Sequence, residues 1–389
     1  MSSIYNEYCT GCGLCCACGM TSFQDDIKGF PYPQSISKEM ESFCKEVCPM
    51  GSNGVVLPKK SVWGNYLSVF EGYASDENIR ERASSGGVLT AVCLWLLDKK
   101  KVDGIIHTAY NPRHPTETVT VCSTTREEVI EHCGSRYSIS SPLINIKKLV
   151  EKNKKYAFVG KPCDVVALRN YMKIDKEIEK SVEYLFSFFC AGTPSRVANE
   201  ELLRRMGSSV DTCCALSYRG NGWPGLTTAI DNDGTKHTMT YETSWMEILG
   251  RDIRKSCKFC YDSIGEASDI SCGDFWKLTK QKKPDFTEGK GQNCVFTWTE
   301  KGDELIKEIV GSHNLIAKVI KEENIKYSQP NHYARRSTML GRIVALKIEG
   351  KKVPGYSKMV IINAAKYAGI RKQLGYCKGT IMRIRKGTL

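Results

Sequence analysis

The chain of 389 residues has no apolar run long enough to cross a bilayer. Stretches such as GGVLTAVCLWLL, at residues 86–97, fall well short of the roughly 20 residues a spanning helix needs. The start, MSSIYNEYC, has no basic segment followed by an apolar one, so a secretory leader is not expected. There is no internal repeat and no low-complexity tract, so neither a solenoid nor a disordered array is expected. Lys and Arg are scattered and no nucleic-acid reader motif is present, so nucleic acid is not an expected partner. The expected location is cytoplasmic.

What remains is an ordinary soluble composition, with 41% hydrophobic and 25% charged residues. The length calls for two or three structural units. A net charge of +13 suits an acidic ferredoxin or flavodoxin-type electron donor, or an acidic small-molecule substrate such as a sugar nucleotide. The basic stretch GIRKQLGYCKGTIMRIRKG, at 369–387, is a candidate for peripheral membrane contact or for docking.

Nineteen cysteines need a separate account. A disulfide framework belongs to small secreted domains, and this chain matches neither condition. Cys93, in an apolar helix-like run, and Cys122, in the strand-like TVTVCS, are explained as core residues. The segment CTGCGLCCAC at 9–18 is not, and metal binding is the better explanation. Cys9, Cys12 and Cys15 have the C-x-x-C-x-x-C spacing of bacterial ferredoxins, and CKEVCP supplies Cys48 followed by Pro49. These four are assigned to a 4Fe–4S cluster, with a structural zinc knuckle as the alternative. The second ferredoxin half is incomplete, so Cys18 or Cys44 could replace a ligand, and Cys16 is a further extra thiol.

From about residue 66, strand-like and helix-like segments alternate, which predicts an α/β core of parallel or mixed sheet. The expected order is a ferredoxin-like module over 1–60 and a central α/β domain over 61–290 carrying a β-rich insertion. A C-terminal α/β extension with a basic tail follows over 291–389. PKKSVWGNY reads as the linker out of the first module. Within the central domain, FVGKPCDVVALRN puts Cys163 on a strand-to-helix turn, and LFSFFCAGTPS puts Cys190 at a strand end. Carboxyl ends of strands are where α/β proteins place functional groups. With Cys257 and Cys260 of CKFC they make four thiolates drawn from three segments, either a second 4Fe–4S site or separate buried or catalytic cysteines. RASSGG opens a helix with backbone amides and hydroxyls suited to a phosphate or a flavin edge, or serves only as a cap. Arg136 and Lys161 add cations near it in kind, and Trp276 offers a stacking surface after DISCGD.

Taken in order, CTGCGLC, EVCP, RASSGG, GSRYSIS, FVGKPCDVVALR, FFCAGTPS and CKFCYDSIGEASDISCGDFW resemble the coenzyme F420 hydrogenase/dehydrogenase β-subunit family, over roughly residues 5–280. That family includes the plant 7-hydroxymethyl chlorophyll a reductase. The resemblance implies FAD in the α/β domain, two 4Fe–4S clusters within electron-transfer reach, and coenzyme F420 as a substrate. It implies flavin contacts from Ser84, Ser85, Gly86 and Gly87, with Arg82, Arg136 and Lys161 as cofactor or substrate contacts. Cys163, Cys190, Cys257 and Cys260 would hold the inner cluster. Asp274 would lie near the flavin and, with Lys161, would be catalytic. Two departures stand out: many relatives have a small residue where Lys161 stands, and the chain continues for about a hundred residues where short hydrogenase subunits stop. Longer relatives of that kind accompany surface-polysaccharide enzymes. The expected function is an FAD- and iron–sulfur-dependent oxidoreductase reducing a small organic substrate. The alternative is a non-catalytic electron-transfer β subunit of a larger complex.

Overall fold

The alternation that begins near residue 66 closes into one large mixed sheet in the computed structural model, which describes residues 3–51, 61–356 and 358–389. In chain order the first strands are β1 (Phe23–Asp25), β2 (Pro31–Pro33), β3 (Ser68–Ala74), β4 (Gly104–Asn111), β5 (His114–Ser123), β6 (Tyr156–Gly160) and β7 (Val182–Phe188). They are followed by β8 (Cys213–Ser217), β9 (Thr227–Asp231), β10 (Lys236–Met239), β11 (Ile270–Asp274), β12 (Asn293–Thr297) and β13 (Leu315–Val319). The large sheet has eight strands in the order β13-β3-β12-β11-β7-β6-β4-β5. Its centre, β11-β7-β6-β4, is parallel, and the flanks on both sides are antiparallel. Parallel strands are covered on both faces and read as near-continuous apolar runs. YAFVG of β6 does so, with only Val159 not fully buried.

Local signals set the helices that cover this sheet. Gly87 takes φ +75°, a left-handed conformation that suits glycine, and starts the buried helix Val88–Asp98. Pro162 stands at the first turn of helix Pro162–Tyr171, where its missing N–H costs nothing. Thr125 and Glu128 form a reciprocal capping box on helix Arg126–Glu131. The expected β-rich insertion is the antiparallel sheet β8-β9-β10.

The N-terminal segment holds the β1/β2 hairpin and helix Lys38–Val47, capped by Ser37. This helix packs on Pro162–Tyr171, with Phe43 edge-on to Tyr171 at 6.1 Å. The predicted linker lies partly outside the described residues. Its described part is not linker-like, because Val62 and Trp63 are buried in a core cluster with Phe296. The expected division at residue 290 falls inside the large sheet. β12 is hydrogen-bonded between β3 and β11, and β13 forms the edge beyond β3. The extension proper is helical: Pro330–Ser337, Met339–Ile348, Lys358–Ala365 and Gly369–Arg385. Among the described residues no helix is long and apolar enough to cross a membrane.

Candidate functional site

The parallel neighbours β6, β7 and β11 end side by side at Gly160, Phe188 and Asp274. Lys161 and Cys163 follow β6 at once, Phe189 and Cys190 follow β7, and Asp274 is the last residue of β11. The Ser84–Gly87 turn closes the same edge of the sheet against Asn293, the first residue of β12. Between them lies a cavity of about 700 Å³, lined by Ser84, Ser85, Gly87, Arg136, Lys161 and Asp274 among others. That size is ordinary for a cofactor site.

The turn is held from behind. The Asn293 side-chain amide donates to Ser85 Oγ at 3.1 Å and to the Gly273 carbonyl at 3.0 Å. Ser85 Oγ donates to the Gln292 carbonyl at 3.0 Å. Ser84 Oγ accepts the Ser135 N–H at 2.5 Å, which ties the turn to the segment carrying Arg136. Gly86 does not line the cavity; it faces the sheet. A Cβ there would stand 2.7 Å from Asn293 Oδ1 and 2.9 Å from the Gly72 carbonyl oxygen. Arg82 is exposed and lines a smaller side cavity of about 450 Å³, which also takes in Arg136 and Arg219. Arg136 borders both cavities. Its Nη1 donates to the Leu216 carbonyl, while its Nε is buried without a hydrogen-bond partner among the described residues. Burial pulls the Arg136 pKa down, the electrostatic sign of a cation short of compensating charge.

Lys161 is buried, with Nζ 2.8 Å from Asp164 Oδ2 and 2.6 Å from Ser140 Oγ. Burial opposes its charge, yet the Asp164 carboxylate together with Cys163 and Cys190 leaves the net shift upward. Asp274 takes two parallel bonds from Arg219, Nη1 to Oδ2 at 2.9 Å and Nη2 to Oδ1 at 3.0 Å. A third comes from Trp223 Nε1 at 2.8 Å. Both residues therefore reach the cavity already partnered. Trp276 stacks on Trp223 with centroids 4.6 Å apart and planes 6° apart, and the cavity wall adds Tyr137, Tyr241 and Trp245. Sequence reading found Trp276 but missed Arg219, Asn293 and the rest of this aromatic wall. The only signal for Arg219 and Trp223 was the turn-rich YRGNGWPG, which reads as part of the insertion.

The four inner thiols lie near enough to feel one another's charge. Cys190 lines the cavity, and burial, then the charge of Cys257, pushes its thiol up to about 11. Cys163 and Cys260 are raised chiefly by burial, and each also responds to Cys190. The Thr193 N–H points at Cys257 Sγ at 3.4 Å. In the N-terminal set, Cys9, Cys12 and Cys48 are raised first by burial; Cys15 adds to this at Cys9 and Cys12, and Cys44 and Cys12 add to it at Cys48, while Arg254 opposes it at Cys9. Cys15 is held up first by its hydrogen bond to Cys16. The Gly11 N–H donates to Cys9 Sγ at 3.3 Å. Of the extra cysteines, Cys44 responds to Cys15 and Cys9, and Cys18 responds to Cys15 and to Tyr171.

Thiols drawn wholly or partly out of water, with backbone N–H donors on Cys9 and Cys257, fit iron–sulfur clusters, whose potentials are set by burial and by hydrogen bonds to sulfur. Among the described residues no group of three His, Cys, Asp or Glu side chains converges tightly enough for a single metal ion. A cubane spreads its ligands over four separate corners and asks for a wider set. The cavity fits a flavin in the same sense: it has the volume, a flat aromatic wall, and a buried Arg136 Nε with its bond unmade.

The two thiol sets are joined by a buried cation that the sequence did not single out. Arg254 donates from Nη1 to the Cys9 carbonyl at 3.0 Å and from both terminal nitrogens to the Pro31 carbonyl. Ser256, next to Cys257, donates to the same Cys9 carbonyl at 3.0 Å.

Comparison with known proteins agrees with this architecture. Two family descriptions match, both of the coenzyme F420 hydrogenase/dehydrogenase beta subunit: its N-terminal part over residues 69–148 and its C-terminal part over residues 153–323. The chain is 26% identical over 272 residues to the F420-dependent formate dehydrogenase subunit beta of Methanocaldococcus jannaschii, covering 67% of this chain and 62% of that protein. It is 26% identical over 278 residues to the coenzyme F420 hydrogenase subunit beta of Methanococcus voltae, covering 69% of this chain and 88% of that protein. The coenzyme F420-dependent sulfite reductase of Methanocaldococcus jannaschii is 24% identical over 356 residues, which is 84% of this chain and 51% of that protein. A chain of the F420-reducing [NiFe] hydrogenase complex from Methanosarcina barkeri shares the fold, with TM-score 0.59 and 18% identity over 77% of this chain and 100% of that one. The chain belongs to the coenzyme F420 hydrogenase/dehydrogenase β-subunit family.

Proposed function

We propose that this chain is the electron-relay subunit of an F420-linked oxidoreductase complex, holding FAD in the large cavity and two 4Fe–4S clusters on its two thiol sets. One observation carries the reading: Cys190 belongs both to the cavity wall and to the inner thiol set, so a cofactor in the cavity and a cluster on those thiols would share a boundary. FAD bound there would exchange two electrons as a hydride with coenzyme F420 or another small molecule, and single electrons with a cluster. The chain's own part is positional and electrostatic. The Ser84–Gly87 turn presents hydroxyls and a flat backbone, Arg136 offers an unpaired N–H, and Lys161 keeps a buried positive charge beside Ser140. Arg219 holds Asp274 at the rim. The bridge through Arg254 and Ser256 ties the N-terminal set to the segment carrying Cys257 and Cys260. The relatives named above as subunits support a partner subunit as electron source or sink, and the net charge of +13 supports an acidic ferredoxin or flavodoxin-type donor.

A second reading, a self-contained reductase of a small organic substrate, is favoured by the helical extension. Its Gly355 N–H donates to the Met50 carbonyl and its Arg342 to the Lys258 carbonyl, so it closes over both thiol-bearing segments within one chain. Surface-polysaccharide metabolism would be one setting for such an enzyme. Anaerobic purification followed by iron, sulfide and flavin analysis tests the common part. About eight iron and one FAD per chain are expected on the basis of two four-iron clusters; zinc without flavin would overturn it. Turnover with reduced coenzyme F420 and the isolated chain then separates the two readings.

A further inference from the structure

We propose that the outer surface of helices Lys358–Ala365 and Gly369–Arg385 docks on an anionic lipid surface. This stands apart from the redox reading and does not depend on it. Residues 351–389 contain ten Lys and Arg and not one Asp or Glu, so most of the chain's net charge of +13 is concentrated there. The charge is coupled to exposed apolar side chains: Met359, Ile362, Tyr367, Leu374 and Met382 are exposed, and Ile370 is 75% exposed.

These side chains are outward because the opposite side of the long helix is committed. Gln373 is buried, its amide donating to the Ser337 carbonyl at 2.6 Å and its Oε1 accepting the Gly341 N–H at 2.9 Å. Thr380 is buried on the same side, two turns further on. Ile370 and Leu374, one turn apart, are thereby left on an outer face with Arg371 and Lys378 between and beside them. Among the described residues none of Lys366, Arg371, Lys372 and Lys378 makes a salt bridge, so their charge is available.

The composition favours lipid over a protein partner. Seven of the ten cations are Lys, a residue depleted at protein–protein interfaces, and the apolar members are mainly aliphatic rather than aromatic. Aliphatic side chains entering the acyl boundary, ringed by Lys at headgroup level, is the chemistry of an interfacial helix. An acidic lipid headgroup complements helices that carry no acid of their own, with Arg385 alone among their described cations paired to a carboxylate, that of Glu349.

The test is co-sedimentation of the full chain with phosphatidylcholine vesicles and with vesicles containing phosphatidylglycerol, at low and high salt. Binding only to the anionic vesicles is expected, weakened by salt down to a residue held by the apolar side chains. The paired variants Ile370→Asp/Leu374→Asp and Lys372→Glu/Lys378→Glu alter exposed positions only. The charge pair should lower the partition by about fivefold or more per residue, and the apolar pair should abolish salt-resistant residual binding. Wild-type protein that ignores anionic vesicles overturns the proposal, as does binding that neither pair diminishes. Sedimentation velocity separates the remaining case: self-association abolished by the apolar pair, without vesicle binding, would assign the face to a second copy of the chain.

Discussion

Arg254 Nη1 lies 3.0 Å from the carbonyl oxygen of Cys9. A residue three positions before Cys257 thus holds the backbone of the first cysteine of the chain, and does so from a fully buried position between Phe30 and Tyr32. Gly11 is shaped to this arrangement: it takes φ +75°, and a Cβ on it would come 2.8 Å from Arg254 Nη2.

Arg254→Met should therefore uncouple the N-terminal segment. Removing the guanidinium takes both side-chain donors from the Pro31 carbonyl and leaves the Cys9 carbonyl only the Ser256 hydroxyl, at about 1–3 kcal/mol for a buried group left unsatisfied. Limited proteolysis should cut first among residues 3–51, and iron bound to the N-terminal set should fall while iron on the inner set persists. Equal loss from both sets would count against the bridge.

Asp274→Asn should destabilise more than its partial exposure suggests, because it strips Arg219 of its counter-charge. Arg219 is buried, and burial opposes a charge that Asp274 now more than compensates. Breaking one side of a buried pair costs about 3–5 kcal/mol. Asp274→Leu combined with Arg219→Met should recover much of that in a urea melt. If instead Asp274→Asn is neutral in stability and lowers only turnover, the carboxylate acts on substrate rather than on Arg219.

Gly86→Ala should fold poorly or lose flavin, although Gly86 does not line the cavity. The added methyl meets Asn293 Oδ1 at 2.7 Å and the Gly72 carbonyl oxygen at 2.9 Å, both in the sheet, so the turn must move out into the cavity. A flavin-to-protein ratio well below that of the parent, at similar helix content, is the expected readout.

Acid should destabilise the protein through His332, which is buried, and His107, which is half-buried. His107 is pulled down to about 4, first by burial and then by His132; His332 is pulled down to about 3 by burial and by Arg335 and Arg336. Both are neutral when folded and take a proton on unfolding anywhere below the free value of about 6.5. The unfolded state then binds more protons, so stability falls as pH drops from about 6.5 towards 4, by up to about 3 kcal/mol for His107. A thermal melt across that range should show the fall, and His332→Gln should flatten it.

Much of the fold was legible locally. Alternating segments, Gly87 before an apolar run, Pro162 after a strand and Thr125 three residues before Glu128 are short-range signals, and the corresponding elements formed. Cys-x-x-Cys spacing is of the same kind, since a turn brings both thiols together whatever the rest of the chain does. Other features depend on pairs far apart in sequence. Arg219 meets Asp274 across 55 positions, Arg254 meets the Cys9 carbonyl across 245, and β12 inserts between β3 and β11 beyond the expected domain boundary. The sequence by itself determined the kinds of chemistry present: thiols in spaced sets, a Ser/Gly turn on a helix, and a surplus of basic charge. Only the tertiary structure decided which of those groups share a cavity, because sheet order and burial set which strand ends meet. It also decided that Lys161 and Asp274 reach that cavity already paired, since a charge removed from water must find its partner in the fold.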